Sequence, residues 1–189
     1  MILLLSLVAG LVIGLVWAYG HKTPYHPPEL RHFGLAFTAY LPQFVAIQLP
    51  ELFPDWLDAV CLTLSQVLLL GFAWLNRKII GMPILICGVV LNLAVMTTNS
   101  GFMPISPQTA SRLISEEALL DIQPGSRIGP KDILLHPQDT RLEGLADRFL
   151  PAAWFPYQVA FSLGDVFIAI GAFWILARPT NHLSENRGP

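Results

Sequence analysis

Apolar residues in this chain come in five long blocks, separated by short polar links and by one long polar segment. A helix that crosses a membrane needs about 20 mostly apolar residues. On that basis the blocks at residues 1–19, 33–49, 56–75, 79–96 and 155–177 are read as crossing helices. The pattern therefore predicts an all-α integral membrane protein with about five transmembrane helices, forming one membrane domain over residues 1–177. The first block carries no charge, and no basic residue precedes Ile2, so it is read as a retained helix and not as a cleaved leader. The second block is the weakest, because it contains Pro42, Gln43 and Gln48. A kinked crossing helix is expected there, with a re-entrant segment as the alternative.

The links have their own signals. "HKTPYHPPELRH" is polar and proline-rich, "PELFPDWLD" reads as an acidic, aromatic turn at the interface, and "NRK" is a tight connection. Residues 97–150 are the one large polar region and are expected to form an outer loop. Within it, "SPQTASRLISEEALL" predicts a short amphipathic helix, with Ser106 as N-cap, Pro107 at the first helical position, and Leu113, Ile114 and Leu119 as its apolar contacts. Trp154 and Tyr157 are read as interfacial aromatics flanking the last span, and residues 178–189 as a polar cytoplasmic tail.

Composition agrees with this picture. Of 189 residues, 53% are hydrophobic and 13% charged, against about 25% charged in a soluble domain, and the mean hydropathy is +0.55. A net charge of −2 gives no basic footprint, so nucleic acid is not expected as a partner. Cys61 and Cys87 both lie in apolar runs with no metal-ligand spacing, so neither a metal nor a disulfide framework is expected. Lys22, Arg31, Arg77, Lys78, Arg178 and Arg187 fall on one side of the five-span arrangement. That puts the N-terminus outside, the C-terminus in the cytoplasm and the long loop outside.

Polar residues inside the spans are the candidate site. Asn92 and Asn99 are seven residues apart, on one helix face, with Gly88 one turn before Asn92. Asp165 is a carboxyl within the last span, in "FSLGDVFIAIG", where it must face protein or water. Spans four and five are therefore expected to pack together, with Asn92 or Asn99 near Asp165. The stretch "NSGFMP" (Asn99, Gly101, Met103 and Pro104 among its residues) is expected to end the fourth span and to cover Asp165 with its own amides. The plain alternative is that it only terminates a helix. Small residues mark packing faces: Ser6, Gly10, Gly14 and Ala18 at intervals of four, and Gly164 and Gly171 seven apart, with Ser162 beside Asp165. In the loop, His136, Asp139, Arg141, Glu143, Asp147 and Arg148 gather near its end and are read mainly as solvated or mutually paired groups.

The stretches "NRKIIGMPILICGVVLNLAVMTTNSGFMPIS", "DTRLEGLADRF" and "FSLGDVFIAIGAFWIL" resemble a family of bacterial membrane proteins known as domain of unknown function 5317. The matching positions are an N-x-G-x-M-P stretch, here Asn99, Gly101, Met103 and Pro104, and a late S-x-G-D, here Ser162, Gly164 and Asp165. The resemblance implies a fold and the positions that matter, and no activity; the expected location is a bacterial inner or thylakoid-type membrane. A second likeness is to lipoprotein signal peptidases, which are membrane aspartyl proteases. It rests on "GLADR" and "FSLGDVFIAIG" and would make Asp147 and Asp165 a catalytic dyad. Both motif asparagines are missing here, and the first motif ends a polar loop. The function expected from the sequence is non-enzymatic, an accessory or assembly subunit of a larger membrane complex, with membrane lipids and other subunits as partners and no cofactor named. The alternative is a membrane-embedded aspartyl hydrolase or small-ligand binder with a site under the outer loop.

Overall fold

In the computed structural model of the chain, which describes residues 2–49 and 52–178, each apolar block becomes a helix. They are α1 (Ile2–Gly20), α2 (Phe33–Gln48), α3 (Asp55–Leu75) and α4 (Met82–Thr98), with a fifth long helix at Leu163–Ala177. Two of them, Ile2–Gly20 and Asp55–Leu75, are long and apolar enough to cross a membrane, while Met82–Thr98 and Leu163–Ala177 are shorter apolar helices. Pro42 lies inside α2 as expected. The tail read as cytoplasmic lies outside the described residues from residue 179 onward.

The long polar segment departs from the expected all-α loop. It contains β1 (Met103–Ile105), two short helices α5 (Pro107–Ala110) and α6 (Glu116–Leu120), then β2 (Arg127–Ile128), β3 (Asp132–Leu134) and a 3-10 turn at Glu143–Leu145, before the last helix, α7 (Leu163–Ala177). The three strands form a sheet in the order β1-β3-β2, with β1 parallel and β2 antiparallel to β3. The protein is thus mostly helical with a small mixed sheet. β2 and β3 turn back on each other within "RIGPKDIL": Gly129 has φ 76°, a conformation glycine adopts without strain, and Pro130 follows it in the turn. The single amphipathic helix is replaced by two. Ser106 does cap the first, accepting from the Thr109 N–H at 3.2 Å, but the helix stops after one turn. Ser115 then caps the second by accepting from the Ala118 N–H.

The last span also begins later than expected. Residues 155–162 are not helical, and Phe161 pairs with Phe149 across an antiparallel bridge. Pro156 cannot continue a helical ladder, and Ser162 supplies a helix start of its own. Val159, Ala160 and Phe161 therefore serve the cap and not the bundle.

Close packing follows the small residues. A Cβ on Gly10 would lie 2.6 Å from the Phe173 carbonyl oxygen, and one on Gly14 would overlap the Leu176 carbonyl oxygen, so the stripe on α1 is filled by α7. Ala18 is buried on the same face and Ser6 half-buried. On its other side α7 crosses α4. There a Cβ on Gly88 would lie 2.5 Å from the Gly164 carbonyl oxygen, and one on Gly171 2.7 Å from the Leu85 nitrogen. Phe72, Met82, Val89, Ile168 and Ile175 fill the space among α3, α4 and α7. The helices therefore lie in the order α1, α7, α4, α3, α2.

The bundle has two distinct ends. At one, the Tyr25 hydroxyl donates to the Leu176 carbonyl at 2.8 Å, and the Asn76 side chain both accepts from the Arg31 N–H at 2.7 Å and donates to the Arg31 carbonyl at 2.9 Å. The links 21–32 and 76–81 meet there. At the other end lies the cap formed by residues 99–162.

These glycine crossings make a test. Gly88→Val should lower the thermal midpoint of the purified protein, by an amount equivalent to about 1–3 kcal/mol, because overpacking displaces backbone. Gly71→Ala, in α3 where a Cβ meets nothing within 4 Å, should leave stability unchanged or raise it by about 0.5–1 kcal/mol. Equal effects of the two changes would refute the close α4–α7 crossing.

Candidate functional site

The start of α7 is built around a reciprocal cap. The Ser162 side chain accepts from the Asp165 N–H at 3.0 Å, and an Asp165 carboxylate oxygen accepts from the Ser162 N–H at 3.1 Å. Asn92 of α4 completes the arrangement. Its amide nitrogen donates to the other Asp165 oxygen at 2.8 Å, and its carbonyl oxygen accepts from the Ser162 hydroxyl at 2.8 Å. All polar atoms of the Asn92 side chain and of Ser162 are thereby engaged. Gly164 is required beside them, since a Cβ would overlap the Asn92 side-chain oxygen. A carboxylate held this way satisfies the demand that an ionisable group within an apolar bundle find partners.

Asn99 is not part of this group. Its amide donates to the carbonyls of Val95 at 2.7 Å and Arg141 at 2.9 Å, and its oxygen accepts from the Arg141 N–H at 3.0 Å. The expected lid over Asp165 is likewise replaced by a different device. The Gly101 N–H, at φ 85°, returns to the Met96 carbonyl at 2.8 Å and so closes α4. The chain then runs into β1, where the Met103 N–H donates to the Lys131 carbonyl and the Pro104 carbonyl accepts from the Asp147 N–H. The amides of "NSGFMP" are spent on α4 and the sheet. Asp165 takes its donors from its own helix start and from Asn92.

Asp147 is 1% exposed and sits beside Lys131, whose ammonium is 2.5 Å from one of its oxygens. The same ammonium is 3.5 Å from Asp132, while the second Asp147 oxygen is buried with no hydrogen-bond donor. Burial pushes the Asp147 carboxyl up to about 7, helped by the charges of Asp132 and Asp165 and opposed by Lys131. Burial also raises the Asp132 carboxyl. For Lys131, burial works against the charged form, but the three carboxylates of Asp132, Asp147 and Asp165 outweigh it and hold the ammonium well above the usual lysine range. Asp147 and Asp165 interact electrostatically, yet each is hydrogen-bonded to other groups.

A second ion pair was hidden in the sequence. Arg127 of β2 reaches Asp58 of α3 at 2.6 Å and Asp55 at 2.9 Å, donates to the Pro130 carbonyl at 2.7 Å, and lies over the Phe102 ring. Asp58 is fully buried. Reading "PELFPDWLD" as an interfacial turn concealed that Asp58 begins a buried helix face. The remaining loop residues do not converge on this region: Glu143 and Arg148 pair with each other at 3.4 Å, Asp139 is exposed, and the His136 carbonyl accepts from Thr140.

Between bundle and cap lies a cavity of about 300 Å³. Its polar lining comes from four helices and the cap: Gln43 of α2, Gln66 of α3, Asn92 of α4, Asp165 of α7 and Lys131. Leu62, Leu69, Met96 and Ile168 supply apolar wall, and Leu3 of α1 stands at its edge. The Gln66 side-chain oxygen is buried without a donor, while that of Gln43 accepts from the Ser65 hydroxyl at 3.3 Å. Among the described residues no three His, Cys, Asp or Glu side chains converge as a metal site requires. Neither Gln66 nor Lys131 belongs to a motif; for Gln66 the one available signal was a polar side chain inside an apolar block, as with Gln43.

The raised Asp147 and Asp132 carboxyls fix the sign of a pH effect. Relative to an unfolded carboxyl near 3.9, the folded protein holds protons that the unfolded chain releases. The stability these two groups contribute is fully present below about pH 4 and is lost as pH rises through about 7. Thermal midpoints measured from pH 4.5 to 7.5 should fall across this window, and Asp147→Asn should make the slope shallower. A slope unchanged by that substitution would show that Asp147 does not carry the effect.

No curated protein and no solved structure matches the chain. Residues 28–177 match the Family of unknown function (DUF5317), a stretch that begins after α1 and spans the rest of the bundle and the whole cap. With the polar ring, the cap and most of the cavity wall inside the matched region, the chain belongs to the DUF5317 family.

Proposed function

We propose that this protein is a non-enzymatic, five-crossing membrane protein that binds a small amphipathic molecule in the cavity beneath its cap. The observation that carries this reading is the cavity itself. Four helices and the cap each send a polar side chain to one apolar-walled space, and the Gln66 acceptor there lacks a donor. Ligand sites have this character, mostly apolar with a few convergent polar groups. The five crossings are supported by two helices of sufficient length and apolarity, two shorter apolar ones, and α2 packed on α3. The orientation is supported by Lys22, Arg31, Arg77, Lys78 and Arg178, whose segments lie at the end away from the cap. In this reading the cap and the N-terminus face outward and the C-terminus the cytoplasm, in a bacterial inner or thylakoid-type membrane.

The assembly-subunit reading has lost its main support. The small-residue stripes that would dock other proteins are filled by α1, α4 and α7 themselves. It remains the second reading because α1 packs mainly on α7 and turns Leu4, Val8, Val12 and Val16 outward. An aspartyl hydrolase would need Asp147 and Asp165 to share one water or proton. Each carboxylate is instead engaged separately, one by Lys131 and the other by Asn92 and Ser162.

Purification in mild detergent with mass spectrometry of the extracted material separates the readings. A lipid-soluble molecule near one per chain, lost on Gln66→Trp, is the expected result. Stoichiometric protein partners with no small molecule would replace it with the subunit reading. The topology has its own test. Single cysteines at Ser126 and Ser184, with Cys61 and Cys87 removed, should react with impermeant reagent from opposite faces. Reaction of both from the cytoplasmic face would overturn the orientation.

A further inference from the structure

The groups around the cavity are unevenly supplied with charge and with donors. Lys131 is the cation among three carboxylates: it contacts Asp147 and Asp132 and feels the charge of Asp165. The neighbouring cation, Arg127, is already committed to Asp55 and Asp58. Oxygen acceptors are also in excess. Gln66 lines the cavity, and its side-chain oxygen is buried without a hydrogen-bond donor; Asp165 lines it as well. An acceptor left so costs about 1–3 kcal/mol. An anionic ligand would set its charge against the Asp165 carboxylate on the cavity wall. A neutral alcohol would supply a donor and leave the charge unbalanced. A metal ion has no set of three ligands to hold it among the described residues. A protonated amine supplies both a positive charge and three N–H donors.

Resting on the ligand-binding reading above, we propose that the cavity takes a single-chain amphiphile with a cationic amine head. The ammonium sits between the Asp165 carboxylate and the Gln66 side chain, both residues lining the cavity. Asn92 and Ser162 each donate to one oxygen of the carboxylate, leaving further lone pairs of Asp165 for the ligand. The alkyl chain runs along Leu62, Leu69 and Ile168 toward Leu3, whose side chain is 43% exposed at the cavity's edge. Lys131 does not repel this head strongly, because Asp147 and Asp132 already neutralise it.

The test uses the full chain in nanodiscs of neutral phosphatidylcholine and three probes of equal chain length: dodecylamine, dodecan-1-ol and dodecanoate. Equilibrium binding and thermal midpoints are both measured at pH 7. Dodecylamine should bind at least about tenfold more tightly than dodecan-1-ol, a difference of about 1.4 kcal/mol, and dodecanoate should bind least. Asp165→Asn should abolish the preference for the amine. Because that change also touches the helix cap, Gln66→Met provides a second variant that leaves the cap intact. It should weaken amine binding several-fold without lowering the ligand-free midpoint. Binding of dodecan-1-ol or dodecanoate as tight as the amine would overturn the cationic head and leave the cavity reading standing. Binding of no probe would overturn both. Amine binding unchanged in the two variants would place it elsewhere on the protein and refute the assignment.

Discussion

Where α4 crosses α7, backbone meets backbone, and a ring of side-chain hydrogen bonds closes over the contact. Gly88 and Gly164 permit the approach, and Asn92, Ser162 and Asp165 join the helices at its upper edge. Interhelical hydrogen bonds in membrane proteins contribute only about 0.6 kcal/mol each on average. Their importance here is positional. The Ser162–Asp165 cap fixes where α7 starts, and so leaves residues 155–162 outside the helix. That non-helical run brings Phe161 to Phe149 and seats the cap on the bundle. Without the ring, neither the cap's height nor the floor of the cavity would be defined.

The cap is held by charge where the bundle is held by shape. Arg127 reaches down to α3 through Asp58 and Asp55, and Lys131 ties β3 to the chain segment at Asp147. Buried ion pairs are weak evidence for stability, because desolvation offsets most of their attraction, whereas losing one partner costs about 3–5 kcal/mol. They are better understood as register devices. A slide of the sheet by one residue would strip Asp58 of its cation and leave a buried carboxylate alone. The second Asp147 oxygen and the Arg127 Nε, both without partners, mark where this register is bought at some cost in satisfaction.

The helices were legible because length and apolarity decide them locally. Four of the five predicted blocks match their helices closely, and the fifth failed for an instructive reason. "SLGD" is itself a helix-start pattern, a Ser followed three residues later by an acid. Reading Trp154 to Phe161 as apolar span overrode it. The sheet was illegible because its strands are two or three residues long and pair across a helical insertion, leaving no alternation to detect. Asn92 and Asp165 were visible because polar groups in apolar runs demand partners. Asn99 looked equivalent by spacing, but it stands at the C-terminus of α4, where open carbonyls and the passing Arg141 backbone claim it first. Asp58, Lys131 and Gln66 needed the third dimension. Each is ordinary in its local sequence and acquires meaning only when a distant segment folds onto it.

The difference in helix length explains why a cavity forms at this place. α3 has 21 residues and α7 has 15, so at about 1.5 Å per residue α7 is shorter by roughly 9 Å. Something other than helix must fill that height beside α3. Non-helical backbone inside an apolar bundle is tolerated only where protein satisfies its polar groups or where it lines a polar space. Both conditions occur here. β1 pairs its backbone with β3 and with Asp147, and Phe161 exchanges backbone hydrogen bonds with Phe149. The volume they leave is bounded by the polar start of α7 on one side and by the long face of α3, with Gln66, on the other. A short helix, a polar cap at its start and an irregular plug above it are therefore one solution to one constraint. The cavity is the space that solution cannot close.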